Sequence, residues 1–133
     1  MYSVGMSPPI AAAAHAALEI MSKEPERTQR LKNLGRKFYQ MVRDADVNVG
    51  SCQGFAIIPV ITGSSILSVK LSNMLLEHGI NVQPIIYPAV EERAARLRFF
   101  LCANHTEKQL EYTVEVLATE LKKLRNLPVY SIG

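Results

Sequence analysis

Arg96-Leu97-Arg98-Phe99-Phe100-Leu101, followed by Thr106-Glu107-Lys108-Gln109 and a patterned run to Leu124, decides the fold of this chain. The first six residues alternate. Successive side chains of a β-strand point to opposite sides, so Leu97, Phe99 and Leu101 share one face and Arg96, Arg98 and Phe100 the other. Thr106 and Gln109 have the spacing of a capping box. The threonine accepts the N–H of the third helical residue and the glutamine reaches back to the cap. Leu110, Val114, Leu117, Leu121 and Leu124 then form one helical stripe. Glu107 stands at the positive pole of this helix and Lys122, Lys123 and Arg125 at the negative pole. Asn126-Leu127-Pro128 stops it. One apolar strand face beside one apolar helix stripe is the unit of a sheet covered by helices.

Working back along the chain, Ile80 to Ile86 reads as a short extended segment interrupted by Pro84, and Pro88 to Arg93 as a loop. Thr62-Gly63-Ser64-Ser65 turns into a helix with Leu67, Leu71, Met74 and Leu75 inward, and Gly79 follows its end as a C-terminal cap. Phe55 to Ile61 reads as a strand, with Pro59 arguing for an edge or a bulge because proline donates no ladder hydrogen bond. Val47-Asn48-Val49 suggests a further short strand. Two helices come first, over 8–22 and 25–44. Ser7 is the expected cap and Pro8 the first residue of one; Pro25 opens the other. Leu31, Leu34, Phe38 and Val42 make the second helix's stripe. The expected fold class is α+β: a small, mainly antiparallel sheet covered on one face by helices.

Composition narrows the function classes. The chain has 133 residues, 48% of them hydrophobic and 20% charged, which suits one folded domain over 1–133. No strictly apolar run, Phe55 to Ile58 among them, comes near the ~20 residues that span a bilayer. No basic segment precedes an apolar one at the beginning, so no targeting peptide is read and the cytoplasm is the expected compartment. Fifteen Lys and Arg against twelve Asp and Glu leave a net charge of +3. The signs are mixed along the chain, which argues against a nucleic-acid surface and equally fits an acidic small substrate or an acidic carrier. The first residues read as the tail of a loop entering a helix, as in the latter part of a longer protein.

Catalytic templates are sparse. Thr62-Gly63-Ser64-Ser65 has one glycine and reads as a turn plus cap rather than a phosphate loop. His15, His78 and His105 have no second ligand at helical spacing, and Cys52 and Cys102 lack zinc spacing, so no metal site is expected. Cys102 and His105 stand three apart, but one ends an apolar strand and the other precedes a helix cap, so structural roles are the plainer reading. Glu91 and Glu92 read as solvated loop carboxylates. Arg27, Arg30, Lys32, Arg36 and Lys37 read as a solvated basic face. Arg98 differs from all of these. It lies in the middle of an apolar strand, where an unpaired buried charge is costly, so its guanidinium must find an anion. Its planar fork suits a carboxylate in two-point contact. That carboxylate belongs either to a ligand or to the protein itself.

Several stretches together resemble the α-oxoamine synthase family. They are Tyr2-Ser3 through Ser7-Pro8-Pro9 with the alanine-rich helix; Leu71-Ser72-Asn73-Met74-Leu75-Leu76-Glu77-His78-Gly79-Ile80-Asn81-Val82 continuing to Tyr87-Pro88; and Ala95-Arg96-Leu97-Arg98 with Ala103-Asn104-His105-Thr106. They occur in the family's order and cover nearly the whole chain. These are pyridoxal-phosphate enzymes that condense an amino acid with an acyl thioester, from acyl-CoA or an acyl carrier protein, usually with loss of carbon dioxide. The resemblance implies the C-terminal small domain of the aspartate-aminotransferase type of fold. The large domain carrying the cofactor lysine would be absent from these residues, and no catalytic residue is assigned to them. It further implies a homodimer when full-length, with the isolated piece inactive.

Two positions carry over. Arg98 matches the second arginine of the family's Arg-hydrophobe-Arg signature, which implies that it holds the amino acid's carboxylate. Ser3 matches a hydroxyl that reaches the cofactor phosphate of the partner subunit, although Val4 stands where the family often has a second polar group. Glu91-Glu92-Arg93-Ala94-Ala95 departs from the usual Pro and Gly of the loop before the arginines, so the choice of substrate is not carried over. A class I/II aminotransferase of the same fold and a non-enzymatic dimerisation or interaction module are the competing expectations.

Overall fold

The computed structural model describes residues 5–126. Ser3, with its expected cofactor-phosphate role, lies outside the described residues, as do Leu127 and Pro128. The elements are α1 (Pro8–Lys23), α2 (Pro25–Asp44), β1 (Ile57–Ile61), α3 (Ser65–Glu77), β2 (Gln83–Ile85), β3 (Arg96–Phe100) and α4 (Glu107–Arg125), with a short 3₁₀ turn at Glu92–Ala94. The two expected N-terminal helices therefore form with almost the expected bounds. Ser7 occupies the cap position of α1, but its side chain makes no capping hydrogen bond.

The strands form an antiparallel sheet in the order β1-β3-β2. Pro59 and Pro84 fall on the two outer strands, where a missing N–H costs no inner ladder bond. In β1 and β3, Ile58, Val60, Leu97 and Phe99 point inward and are buried. They meet the stripes of α2, α3 and α4 in one cluster that includes Phe38, Val42, Leu71, Leu75 and Leu117. One face of the sheet is thus covered by helices, and among the described residues no helix covers the opposite face.

Local chemistry accounts for the helix ends. Both bonds of the capping box at Thr106 and Gln109 are present. Ser64 caps α3 by accepting from the Leu67 N–H. After α3 the chain reverses at Gly79, whose φ of 77° suits a residue without a Cβ. The Ile80 N–H returns to the Leu75 carbonyl at 2.9 Å, closing the helix end. Val47-Asn48-Val49 is not a strand. It makes a single backbone bond to β1, from the Ile61 N–H to the Asn48 carbonyl. A turn in which the Asn48 side chain accepts the Gly50 N–H ends the extended run.

One glycine has a tertiary reason. A Cβ on Gly35 of α2 would stand 2.5 Å from the Phe55 carbonyl oxygen and 2.8 Å from its carbon. Those are backbone atoms and cannot swing aside. Gly35→Ala, which favours an exposed helix by about 1 kcal/mol, should therefore destabilise this protein by roughly 1–3 kcal/mol in urea unfolding. Unchanged or increased stability would show that the segment before β1 does not press on α2.

Candidate functional site

The open face of the sheet carries the candidate site. Alternation in β3 that sends Leu97 and Phe99 inward sends Arg96, Arg98 and Phe100 outward. Register places Pro59 of β1 and Gln83 of β2 on either side of Arg98, and Ile61 and Ile85 on either side of Arg96. Ile57 pairs with Phe100. This surface is unusually apolar for an exposed one: Phe100 and Phe55 are each 57% exposed and Ile57 47%. A contiguous exposed apolar surface with a cation in it marks a place where something else packs.

The expectation that Arg98 is buried within the chain is corrected here. Arg98 is exposed, because the sheet has helices on one side and this residue is on the other. Its guanidinium lies 5.0 Å from the centroid of the Phe100 ring, a cation–π contact. Among the described residues no carboxylate pairs with it. Arg96 is more tied down: its Nε–H donates to the Ala94 carbonyl at 2.7 Å. Beside Arg96 lies a depression of about 320 Å³ walled by Gly50, Cys52, Phe55, Ile57 and Pro59.

The remaining candidates have structural work. Glu92 accepts hydrogen bonds from the Ser65 N–H at 2.7 Å and from the Ser65 hydroxyl. The hydroxyl bond first, then the backbone bond, hold its carboxyl below the usual carboxylate range. Glu92 is therefore an anchor for the start of α3, not half of an acid–base pair. The Cys102 backbone N–H donates to His105 Nδ1 at 3.2 Å, so this pair makes a turn rather than a thiol–imidazole dyad. Among the described residues no three metal-ligating side chains converge.

Sequence reasoning passed over Glu120. The residue is 3% exposed, and its carboxylate lies 2.6 Å from Lys123 Nζ and 3.3 Å from His78 Nε2. The Lys123 hydrogen bond, helped by His78, keeps its carboxyl below the ordinary value although burial opposes this. The i,i+3 spacing to Lys123 was legible in the sequence. The contact with His78, across from the end of α3, was not.

The family model described as aminotransferase class I and II matches residues 1–117. The 8-amino-7-oxononanoate synthase of Symbiobacterium thermophilum is 36% identical over 127 residues, which is 96% of this chain and 31% of that protein. The enzyme of the same name from Pseudomonas fluorescens is 33% identical over 132 residues, 98% of this chain and 33% of that protein. The chain therefore spans about a third of the length of the curated relatives it matches. Among solved structures, the 8-amino-7-oxononanoate synthase of Francisella tularensis superposes with a TM-score of 0.79 at 25% identity, covering 94% of this chain and 36% of that one. The Sphingomonas wittichii serine palmitoyltransferase superposes at 0.83 and 24% identity, covering 96% and 32%, a likeness of fold. The fold is that of the C-terminal small domain of the aspartate-aminotransferase type.

Proposed function

Because the chain belongs to the aminotransferase class I and II family, we propose that it is the C-terminal small domain of a pyridoxal-phosphate-dependent α-oxoamine synthase. The whole enzyme joins the α-carbon of an amino acid to the acyl carbon of a thioester. The carboxylate leaves as carbon dioxide and the thiol is released. The observation that carries this reading is the unpaired Arg98 on an open, apolar sheet face. Its fork receives the amino acid's carboxylate in two charge-assisted hydrogen bonds, each worth about 1.5–3 kcal/mol. The larger benefit is orientation, since a substrate clamped at its carboxylate presents one α-carbon bond to the reaction.

The described residues fit the substrate and not the cofactor. Pyridoxal phosphate needs a lysine for its covalent anchor. The seven lysines all stand on α1, α2, α3 or α4, and none is on the strands that carry Arg98. In this reading the cofactor's covalent anchor lies in the rest of the enzyme, which packs over the open sheet face, and Ser3 reaches the cofactor phosphate of the partner subunit. No step of its chemistry is assigned to residues of this chain. The reading includes a homodimer. Support comes from α1, in which no residue is buried and Ile10, Leu18 and Met21 are more than half exposed. Two free cysteines, Cys52 and Cys102, suit the reducing cytoplasm.

The test is a carbon dioxide assay on the full-length enzyme, loaded with pyridoxal phosphate and given carboxyl-labelled amino acids with an acyl thioester. Labelled carbon dioxide and free thiol should appear in equal amounts. Amine-form cofactor with no carbon dioxide would replace the reading with transamination, which the family's name also covers.

A further inference from the structure

A second surface carries positive charge that the amino acid site does not use. Between the end of α2, the loop after it and the end of α4 lies a groove of about 560 Å³, walled by Tyr39, Arg43, Asp46, Asn48, Gly50 and Arg125, among others. We propose that this groove binds the phosphate end of the acyl donor, the pantetheine phosphate common to coenzyme A and to acyl carriers. The proposal rests on the acyltransferase reading above.

The charge balance favours an anion. Two exposed guanidiniums face one carboxylate, that of Asp46. Neither Arg43 nor Arg125 forms an ion pair among the described residues. Arg43 is oriented by Tyr39: its guanidinium carbon lies 5.7 Å from the ring centroid, and Nη1 is 3.4 Å from the phenol oxygen. A guanidinium has five N–H donors, so one contact to a phenol oxygen leaves others for a phosphate.

The loop along the groove is also anchored. Val47 and Val49 are 6% and 5% exposed and peg the loop to the core. Asn48 and Gly50, which alternate with them, are exposed. The Asn48 side chain accepts the Gly50 N–H at 2.9 Å, and its carbonyl accepts the Ile61 N–H at 2.8 Å. These contacts fix the path of the loop beside the two arginines.

Position links the groove to the first site. Val49 and Gly50 also wall the depression beside Arg96. That depression includes Pro59, which pairs with Arg98. A continuous surface thus leads from the two arginines, across Gly50, to the place where the amino acid's carboxylate binds. A donor with an anion at one end and a thioester at the other, joined by a flexible arm, matches this layout.

Both arginines lie at helix C-termini, where a cation also steadies the helix by about 0.3–1 kcal/mol. That role changes stability but not the donor's KM, so steady-state kinetics separates the two. In the full-length enzyme, Arg43→Glu combined with Arg125→Glu should raise KM for the phosphorylated donor at least tenfold. The KM for the amino acid and the kcat should stay within twofold. The N-acetylcysteamine thioester of the same acyl group, which has no phosphate, should show no change. Parallel assays with acyl-CoA and with an acyl carrier protein identify which source supplies the phosphate. The milder pair Arg43→Gln with Arg125→Gln serves if the reversed charges lower Tm. An unchanged donor KM, or an equal rise with the phosphate-free donor, would overturn the proposal. If the wild-type enzyme turns over no thioester at all, the acyltransferase reading fails separately. The groove is then judged by calorimetric titration with coenzyme A, where tenfold weaker binding in the double variant supports it and equal binding refutes it.

Discussion

Arg98→Ala in the full-length enzyme lowers kcat/KM for the amino acid about a hundredfold, equivalent to about 2.7 kcal/mol of transition-state stabilisation. The size follows from losing two charge-assisted bonds and the orientation they impose. The structure adds that this loss comes at almost no cost in stability. Arg98 has no ion pair among the described residues, and its contact with Phe100 is at an exposed position, worth about 0.5–1 kcal/mol. Thermal unfolding of the variant should therefore stay close to that of the parent while turnover collapses. Arg98→Lys keeps the charge but not the planar fork, and should recover a minor part of the activity. Near-normal kcat/KM in Arg98→Ala would remove this residue from the amino acid site.

Phe38→Ala destabilises the domain by about 3–5 kcal/mol, the usual range for truncating a fully buried aromatic. Phe38 is 0% exposed. Its ring stands 5.5 Å from that of Phe99, tilted by 54°, at a separation typical of favourable aromatic pairs. The pair ties α2 to β3 directly beneath the open face. Deleting the ring leaves a cavity that α2 and β3, fixed by their other contacts, fill incompletely. Phe38→Leu should lose less, because it keeps part of the volume. The urea midpoint measures both, and a loss under about 1 kcal/mol for Phe38→Ala would mean that α2 is not anchored through this pair.

The two variants separate the roles of adjacent residues in β3. Phe99 belongs to the inward set and reports on stability through Phe38. Arg98 belongs to the outward set and, in the proposed function, reports on the amino acid. The same alternation explains why an arginine can sit in an apolar strand: the buried side of that strand never meets it.

Local chemistry was legible in the sequence by itself. Helix stripes over Leu34 to Val42 and Leu110 to Leu124, the capping box at Thr106, the glycine after α3 and the two faces of β3 depend on residues within a few positions of one another. Periodicity and capping follow from backbone geometry, so they need no distant partner. Ordered motifs extended this to the family and to Arg98 as the residue of interest. Whether Arg98 was enclosed, however, depended on which face of the sheet the helices cover. That is a choice made by packing across the whole domain, and it left this guanidinium exposed over Phe100. The close approach of Phe55 to Gly35, the bonds from Ser65 to Glu92, the contact of His78 with Glu120 and the groove shared by Arg43 and Arg125 have the same origin. Each joins residues far apart in the chain, and no local spacing rule encodes such a meeting until the core has brought the elements together.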